Sequence, residues 1–217
     1  MPSIRHKEQR DTRGGGGTRV RAGARGRTDD DVVLDAVRDC VLAVGVRRTT
    51  LTDIARRAGV SRMTLYRRWP DVRTLVADLM TREFVALVQG VVTTQRDRPV
   101  GPAVVDSLVR CARAFRVHPL FRKIIDVDPE LLLPYILERR GASQDAMLRL
   151  MERELAAGQA DGSIRPGNAT RQTRAVLLVV QSFVMSAHTM TDDGDPALAA
   201  AAFDDELRRL LEGYLLP

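Results

Sequence analysis

The sequence predicts an all-α protein, and three observations support this fold class. From Thr28 onward, apolar residues recur at intervals of three and four. No segment shows the sustained alternation of β-branched and polar residues that is typical of strands. The chain has 217 residues, of which 44% are hydrophobic and only 4% aromatic, so aliphatic side chains must fill most of the core.

The first 27 residues form a basic arm that carries the whole net charge. Eight basic and two acidic side chains give this arm a charge of +6, which equals the formal net charge of the protein. The arm contains four consecutive glycines and almost nothing apolar, so we expect residues 1–27 to be disordered. Two roles stay open for it, a solubilising leader and an electrostatic tether to phosphates.

Several classes of protein are disfavoured by composition. No apolar run reaches the roughly 18 residues that a membrane span needs, and no apolar segment of a secretion signal follows the first charges. We therefore expect a cytoplasmic protein without a membrane partner. Cys40, Cys111, His118 and His188 are each isolated from further ligand-type residues, so the sequence predicts reduced core cysteines, no metal site and no cofactor.

The first two helices have recognisable ends. The hydroxyl of Thr28 can cap a helix whose next three residues are aspartates at the positive end of the helix dipole, and this helix ends near Gly45. Thr50 caps a second, short helix, and Asp53 three residues later is an acidic variant of the capping box.

A third short helix is predicted after Ser61, and a much longer one is predicted with Asp71 as its cap. The long helix must end before residues 96–102, where two prolines and a glycine interrupt the pattern. Further helices are predicted at residues 104–115, 121–126, 129–139, 143–157, 170–190 and 196–216, with a loop at 157–168.

The helix predicted at residues 170–190 is apolar over an unusually wide arc. An arc of this width needs partners on two sides, and a second subunit is a natural candidate for one of them. The residues of the arc are Val176, Leu177, Val179, Val180, Phe183, Val184 and Ala187.

The second and third helices have the spacing of a helix-turn-helix. Ile54, Val60 and Leu65 fall where the two helices would share a small core. Ala55 is small where the helices cross, and Gly59 permits the left-handed backbone of the turn.

This segment, TTLTDIARRAGVSRMTLYRRWPDVRTLV, resembles the DNA-binding signature of the TetR family of transcriptional regulators. The resemblance implies a DNA-binding domain of three helices at residues 28–73 and a helical ligand-binding and dimerisation domain at residues 74–217. It also implies DNA binding that is relieved by a small molecule. By the same resemblance, the DNA contacts fall at Thr50, Thr52, Ser61, Arg62, Met63, Thr64, Tyr66, Arg67 and Arg68.

The chemistry of these side chains suggests separate roles. Arg62 has the planar fork that pairs with guanine. The hydroxyls of Thr64 and Tyr66 suit phosphate oxygens, and the methyl group of Thr64 suits thymine. Arg67 and Arg68 are expected to hold phosphates, although both also fit a solvated helix end.

Three positions depart from the family pattern. Met63 stands where a small residue is usual, and Val72 stands where lysine is usual and cannot pair with a phosphate. Arg73 lies next to Val72 but about 100° further around the helix. Trp69 stands where phenylalanine is common, and we expect it to pack between the two domains.

An apolar ligand cavity is predicted among the central helices, because they supply aliphatic, aromatic and thioether side chains. Each of these residues also suits an ordinary core. The candidates are Phe84, Leu87, Leu108, Cys111, Phe115, Phe121, Met147, Met151 and Phe183, together with Tyr135.

The predicted function is that of a homodimeric repressor, released from a palindromic double-stranded DNA operator by a small, largely apolar effector. Two recognition helices would then enter successive major grooves about 34 to 36 Å apart. One alternative is a constitutive or nucleoid-type DNA binder without an inducer, and another is an enzyme or interaction module of the same fold. The sequence shows no triad-like arrangement and no phosphate-binding glycine loop, which disfavours an enzyme.

Overall fold

The described part of the chain is entirely helical. A computed structural model describes residues 29–91, 98–192 and 194–217, and within these ranges it contains ten α-helices and no strand. The predicted all-α fold is confirmed. The predicted arm at residues 1–27 and the Thr28 cap lie outside the described residues. The helices are α1 Asp29–Val44, α2 Leu51–Ala58, α3 Arg62–Arg68, α4 Val72–Val91, α5 Val100–Val117, α6 Pro119–Val127, α7 Leu133–Leu137, α8 Ala142–Ala160, α9 Ala169–Ser186 and α10 Ala200–Leu215.

The predicted helix-turn-helix is confirmed in α2 and α3. The Thr50 hydroxyl accepts a hydrogen bond from the Asp53 backbone N–H at 3.1 Å, so the predicted cap of α2 is present. Gly59 ends α2 with a φ of +69°, a left-handed conformation that favours glycine. Ile54 and Leu65 are fully buried where the two helices meet α1.

Two apolar cores lie along the molecule. The first joins α1, α2, α3 and α4 to the end of α5 and to α6, so the core of the helix-turn-helix continues into the helices that follow. The second lies between α5, α8, α9 and α10. The division of the chain at residue 73 stays a prediction.

Helix α5 begins earlier than predicted. It starts at Val100, so Pro102 lies within its first turn, where a backbone N–H would have no acceptor inside the helix. Gly101 is required by close packing, because a Cβ there would lie 2.3 Å from the carbonyl oxygen of Ser163. The sequence pattern of breakers therefore marks the beginning of this helix.

Helix α8 ends later than predicted, so the expected loop at 157–168 is wrong for its first four residues. The helix continues to Ala160. Gly158 is buried inside this helix. Only glycine fits there, because a Cβ at this position would lie 2.5 Å from Cδ1 of Ile164. The glycine thus allows the returning chain to pack against α8. No helix within the described ranges has the length and apolar character required to cross a bilayer.

Candidate DNA-binding surface and ligand cavity

Helix α3 presents one buried and one exposed side. Leu65 is fully buried, and Trp69 just beyond the helix is 3% exposed. The remaining side chains of α3 face solvent, with Met63 77% and Tyr66 53% exposed. The exposed set contains the predicted DNA contacts of this helix, which are Arg62, Met63, Thr64, Tyr66, Arg67 and Arg68. All six side chains are exposed, and five of them are polar.

Two of the predicted contact hydroxyls also cap helices. The Ser61 hydroxyl accepts from the Thr64 backbone N–H at 3.1 Å and lies 2.8 Å from the Thr64 hydroxyl. The Thr50 hydroxyl donates to the Asp53 carboxylate at 2.6 Å. Thr52 is exposed on the first turn of α2. Ser61 and Thr50 therefore orient the helix starts whether or not DNA is bound.

The arginines of α3 differ in their partners. Arg68 pairs with Asp30 on α1, and its guanidinium lies over the ring of Trp69 at 5.0 Å. Arg62 and Arg67 are exposed and have no ion-pair partner in the part of the chain that the structure describes. Arg62 and Arg67 are thus available to DNA, while Arg68 also holds α3 against α1.

Helix α4 is joined to the recognition unit at its beginning. The Asp71 carboxylate accepts from the Thr74 backbone N–H at 2.7 Å, which confirms the predicted cap and lowers the pKa of Asp71. The indole N–H of Trp69 donates to Asp78 at 2.7 Å. Trp69 therefore packs at the junction of α3 with α4, and its expected position between two domains stays a prediction.

A cavity of about 620 Å³ lies beneath α4, and we call it the main cavity. Helices α5, α6, α8 and α9 and the segment of residues 130–141 complete its wall. Phe84 is at its apolar end, with its ring 4.8 Å from Phe115 and 5.8 Å from Phe121 in edge-to-face contacts. The volume suits a drug-sized ligand.

The polar groups of the main cavity include a fixed pair of glutamines. The Gln144 amide donates to the Gln181 carbonyl at 2.9 Å and to the Tyr135 backbone carbonyl at 3.1 Å. Its own carbonyl oxygen accepts from the Gly141 backbone N–H at 2.9 Å. These bonds use the Gln144 side chain to hold residues 135–141 over the cavity.

A buried carboxylate connects the cavity wall to the DNA-binding unit. Asp128 is 1% exposed and accepts from the Val46 backbone N–H at 2.7 Å. The guanidinium of Arg47 donates to Glu130 at 2.6 Å and lies 3.6 Å from Asp128. Val46 and Glu130 also line the main cavity. The loop between α1 and α2 therefore forms part of the cavity wall and also leads into the helix-turn-helix.

Comparison with known proteins identifies the DNA-binding unit. Residues 33–79 match the family model described as bacterial regulatory proteins, tetR family. An uncharacterised HTH-type transcriptional regulator of Mycobacterium bovis is 40% identical over 183 residues, which is 84% of this chain and 92% of that protein. The chain belongs to the TetR family. It is a helix-turn-helix transcriptional regulator.

Solved structures share the TetR-family fold. The repressor QsdR of R. erythropolis has a TM-score of 0.64 at 15% identity, covering 86% of this chain and 95% of its own. SmeT, solved as a complex with triclosan, has a TM-score of 0.57 at 21% identity, covering 87% of this chain and 92% of its own. At these identities the likeness concerns the fold alone.

The departures from the TetR-family pattern have clear places in the structure. Val72, where lysine is usual, is half-buried and packs against the first core. Met63 is the most exposed of the large apolar side chains in the described ranges. Met63 therefore contributes nothing to the core, while Val72 contributes packing, and a DNA contact by Met63 stays a prediction.

The predicted ligand residues divide into two sets. Phe84, Phe115, Phe121, Met147 and Tyr135 line the main cavity. The others lie in the apolar cores outside its wall. They are Leu87 and Cys111 in the first core and Leu108, Met151 and Phe183 in or against the second. Burial raises the pKa of the Cys111 thiol to about 11.

Sequence reasoning missed several residues of the cavity wall. The wall includes Gln144 and Gln181, two amides on otherwise apolar helix faces, and that polar interruption is the signal that could have found them. It also includes much of the segment 130–141, which sequence reasoning took as an ordinary helical piece. Apolar members of the wall that periodicity cannot separate from core are Met80, Ile124, Val180 and Met185.

The two isolated histidines differ in environment. His118 lies 3.9 Å from Glu83, and burial lowers its pKa although Glu83 acts in the opposite direction. His188 is exposed beyond α9. In the ranges described, no three histidine, cysteine or acidic side chains are grouped as a metal ion would require.

Proposed function

We propose that this TetR-family regulator is a homodimeric repressor that a small, largely apolar molecule releases from a palindromic operator. The observation that supports this most is the connection between the main cavity and the loop before α2. Glu130 lines the cavity and pairs with Arg47, while Asp128, two residues earlier, holds the Val46 N–H. A change in the cavity wall therefore acts directly on the DNA-binding unit.

The proposed release proceeds through this wall. A ligand in the main cavity presses against Glu130, Leu131 and Leu132, which line it. A shift of these residues displaces Asp128 and the loop that it holds, and α2 and α3 move with that loop. Binding thereby selects a dimer whose recognition helices no longer match both half-sites.

The proposed effector is a small, largely apolar molecule with at least one polar group. The aromatic and aliphatic wall favours a hydrophobic body, and the Gln144–Gln181 pair offers an amide to one polar group. The structure of SmeT in complex with triclosan shows a regulator of this fold with a small molecule bound.

The proposed dimer uses α9 and α10. Leu178 and Val179 on α9 are 71% and 37% exposed, and Leu210 on α10 is 54% exposed. Large apolar side chains on two neighbouring helices favour burial against a second copy. A four-helix bundle of this kind would fix the separation of the two recognition helices.

Operator binding is tested with mobility shifts on the DNA upstream of the regulator's own gene. Arg62→Ala is expected to cost about 1 to 3 kcal/mol in operator affinity and to relax specificity at one base pair. Tyr66→Phe is expected to weaken binding to all DNA sequences alike, because it removes a phosphate contact. Arg153→Ala is the matched control, since Arg153 is exposed on α8. Equal binding of every sequence by wild type and by both variants would refute operator recognition by α3.

Release by an effector is tested by thermal-shift screening of an apolar compound library that contains triclosan. Compounds that raise the melting temperature are then added to the operator complex. Met147→Trp is expected to weaken both effects because the larger indole occupies part of the main cavity. A compound that stabilises the protein but leaves operator affinity unchanged would show binding without regulation.

A further inference from the structure

A second cavity of about 280 Å³ lies on the opposite side of Phe121 and Val184 from the main cavity. These two side chains line both cavities and form the wall between them. The second cavity is bounded by the end of α5, by α6, by the end of α9 and by the start of α10. Like the main cavity, it has arginines on its wall, but its apolar surface is smaller.

Arg116 is the informative member of this wall. One of its terminal nitrogens, Nη2, donates to the buried carboxylate of Asp204, which also accepts from Arg113 at 2.9 Å. The other, Nη1, is buried and has no hydrogen-bond partner among the described residues. A buried donor without an acceptor is unfavourable, so an acceptor that reached this guanidinium from the cavity would be stabilised there.

The charges around the cavity favour a single negative charge. Asp204 neutralises only one of its two arginine partners, which leaves one positive charge at Arg113 and Arg116. Arg122 on α6 adds a second, and no ion-pair partner for it occurs in the ranges that the structure describes. Asp126, one turn further along α6, also lines the cavity and offsets one of these charges. The balance suits a monoanion better than a dianion.

The rest of the wall suits a short hydrocarbon group. Phe121 and Ile125 on α6 and Val184 on α9 line the cavity beside the arginines. A guanidinium binds a carboxylate through two parallel N–H donors, which is a stronger match than it offers to a neutral amide. We propose that this cavity binds a small monocarboxylate, with its head group on the guanidinium groups of Arg116 and Arg122 and its hydrocarbon part against Phe121, Ile125 and Val184.

The experiment compares sodium butyrate with butyramide in calorimetric titrations of the full chain at constant ionic strength. The two probes have nearly the same shape and differ in charge. We expect saturable binding of butyrate and binding of butyramide that is at least about tenfold weaker, because a charge-assisted hydrogen bond is replaced by a neutral one. Equal binding of the two probes, or no saturable binding of butyrate, would overturn the proposal.

Variants locate the site. Arg122→Gln removes an exposed charge, so the fold is retained, and we expect about tenfold weaker binding of butyrate. Arg153→Gln is the matched control, an exposed arginine that lines neither cavity. A loss as large with Arg153→Gln as with Arg122→Gln would mean a general charge effect and overturn the proposal.

Filling variants separate the two cavities. Ile125→Trp narrows the second cavity and keeps both arginines, so it is expected to weaken butyrate binding strongly, while Met147→Trp in the main cavity is expected to leave it intact. Loss of butyrate binding in Met147→Trp, together with normal binding in Ile125→Trp, would place butyrate in the main cavity and overturn the proposal. Circular dichroism and thermal melting of each variant establish that it is folded. Arg122→Gln decides the matter if Ile125→Trp is not folded.

Discussion

The carboxylate of Asp128, at the end of α6, accepts a hydrogen bond from the backbone N–H of Val46 across 82 residues of sequence. Gly45 precedes Val46 with a φ of +84°, and a Cβ on Gly45 would lie 2.9 Å from the same carboxylate. The turn that ends α1 is thus shaped to admit Asp128. Because this turn leads directly into α2, the contact fixes the helix-turn-helix against the wall of the main cavity.

Gly45→Ala is expected to destabilise the protein more than Gly59→Ala. Both glycines have positive φ, so each alanine carries the left-handed penalty of about 1 to 2 kcal/mol. A Cβ at Gly59 meets nothing within 4 Å, whereas at Gly45 it also crowds Asp128. Urea unfolding of the two variants measures the difference. Equal losses of unfolding free energy in the two variants would show that the turn at Gly45 accommodates a Cβ beside Asp128 without further destabilisation.

Asp128→Ala is expected to lower the free energy of unfolding by about 1 to 3 kcal/mol, because it leaves the buried N–H of Val46 without an acceptor. Asp128→Asn is the matched control, since an amide oxygen of the same size can still accept this bond. We also expect Asp128→Ala to weaken the effect of an identified effector on operator affinity. Full effector response in Asp128→Ala would contradict the proposed path through this residue.

His118 is expected to make the protein less stable in mild acid. Burial lowers its pKa in the folded protein below the ordinary value of 6.5, despite Glu83 nearby and with a smaller contribution from Arg38 in the same direction as burial. The unfolded chain therefore binds the proton more readily. The free energy of unfolding then falls as the pH is lowered through 6.5 and levels off below the folded pKa.

The measurement is urea unfolding of wild type and His118→Gln between about pH 5 and 8. The difference between the two proteins isolates this residue from the other titrating groups. The wild type is expected to lose stability relative to the variant as the pH falls. A constant difference across the range would show that folding leaves the pKa of His118 unchanged.

Local chemistry accounts for the parts of the structure that the sequence predicted well. The caps at Thr50, Ser61 and Asp71 and the left-handed Gly59 depend on residues within three or four positions of one another, so the sequence alone indicates them. Gly158 is different. Glycine in a helix interior usually signals a break, but here the close approach of Ile164 explains why a glycine stands inside a helix.

The ligand cavity was also harder to predict, because it depends on how the helices pack against one another. Periodicity shows that Phe84 and Leu87 both lie on the apolar side of α4, but only the packing of the other helices decides that Phe84 lines the main cavity and Leu87 does not. The link from Asp128 to Val46 joins residues far apart in the chain. No local pattern in the sequence could indicate it.

The proposed dimer predicts that Leu178→Glu and Leu210→Glu together produce a monomer. In the isolated chain both side chains are more than half exposed, so the substitutions leave the fold of one subunit intact. At a subunit interface the same carboxylates would be buried without partners, at an expected cost of several kcal/mol. Sedimentation equilibrium measures the association directly.

Leu137→Glu is the matched control for this pair. Leu137 on α7 is 74% exposed, slightly more than Leu178, but lies outside the proposed interface. The control is expected to remain a dimer and to bind the operator like wild type. The double variant is expected to retain its helical content, to sediment as a monomer and to lose operator affinity, because one recognition helix reaches only one half-site. A double variant that still sediments as a dimer would place the interface elsewhere on the molecule.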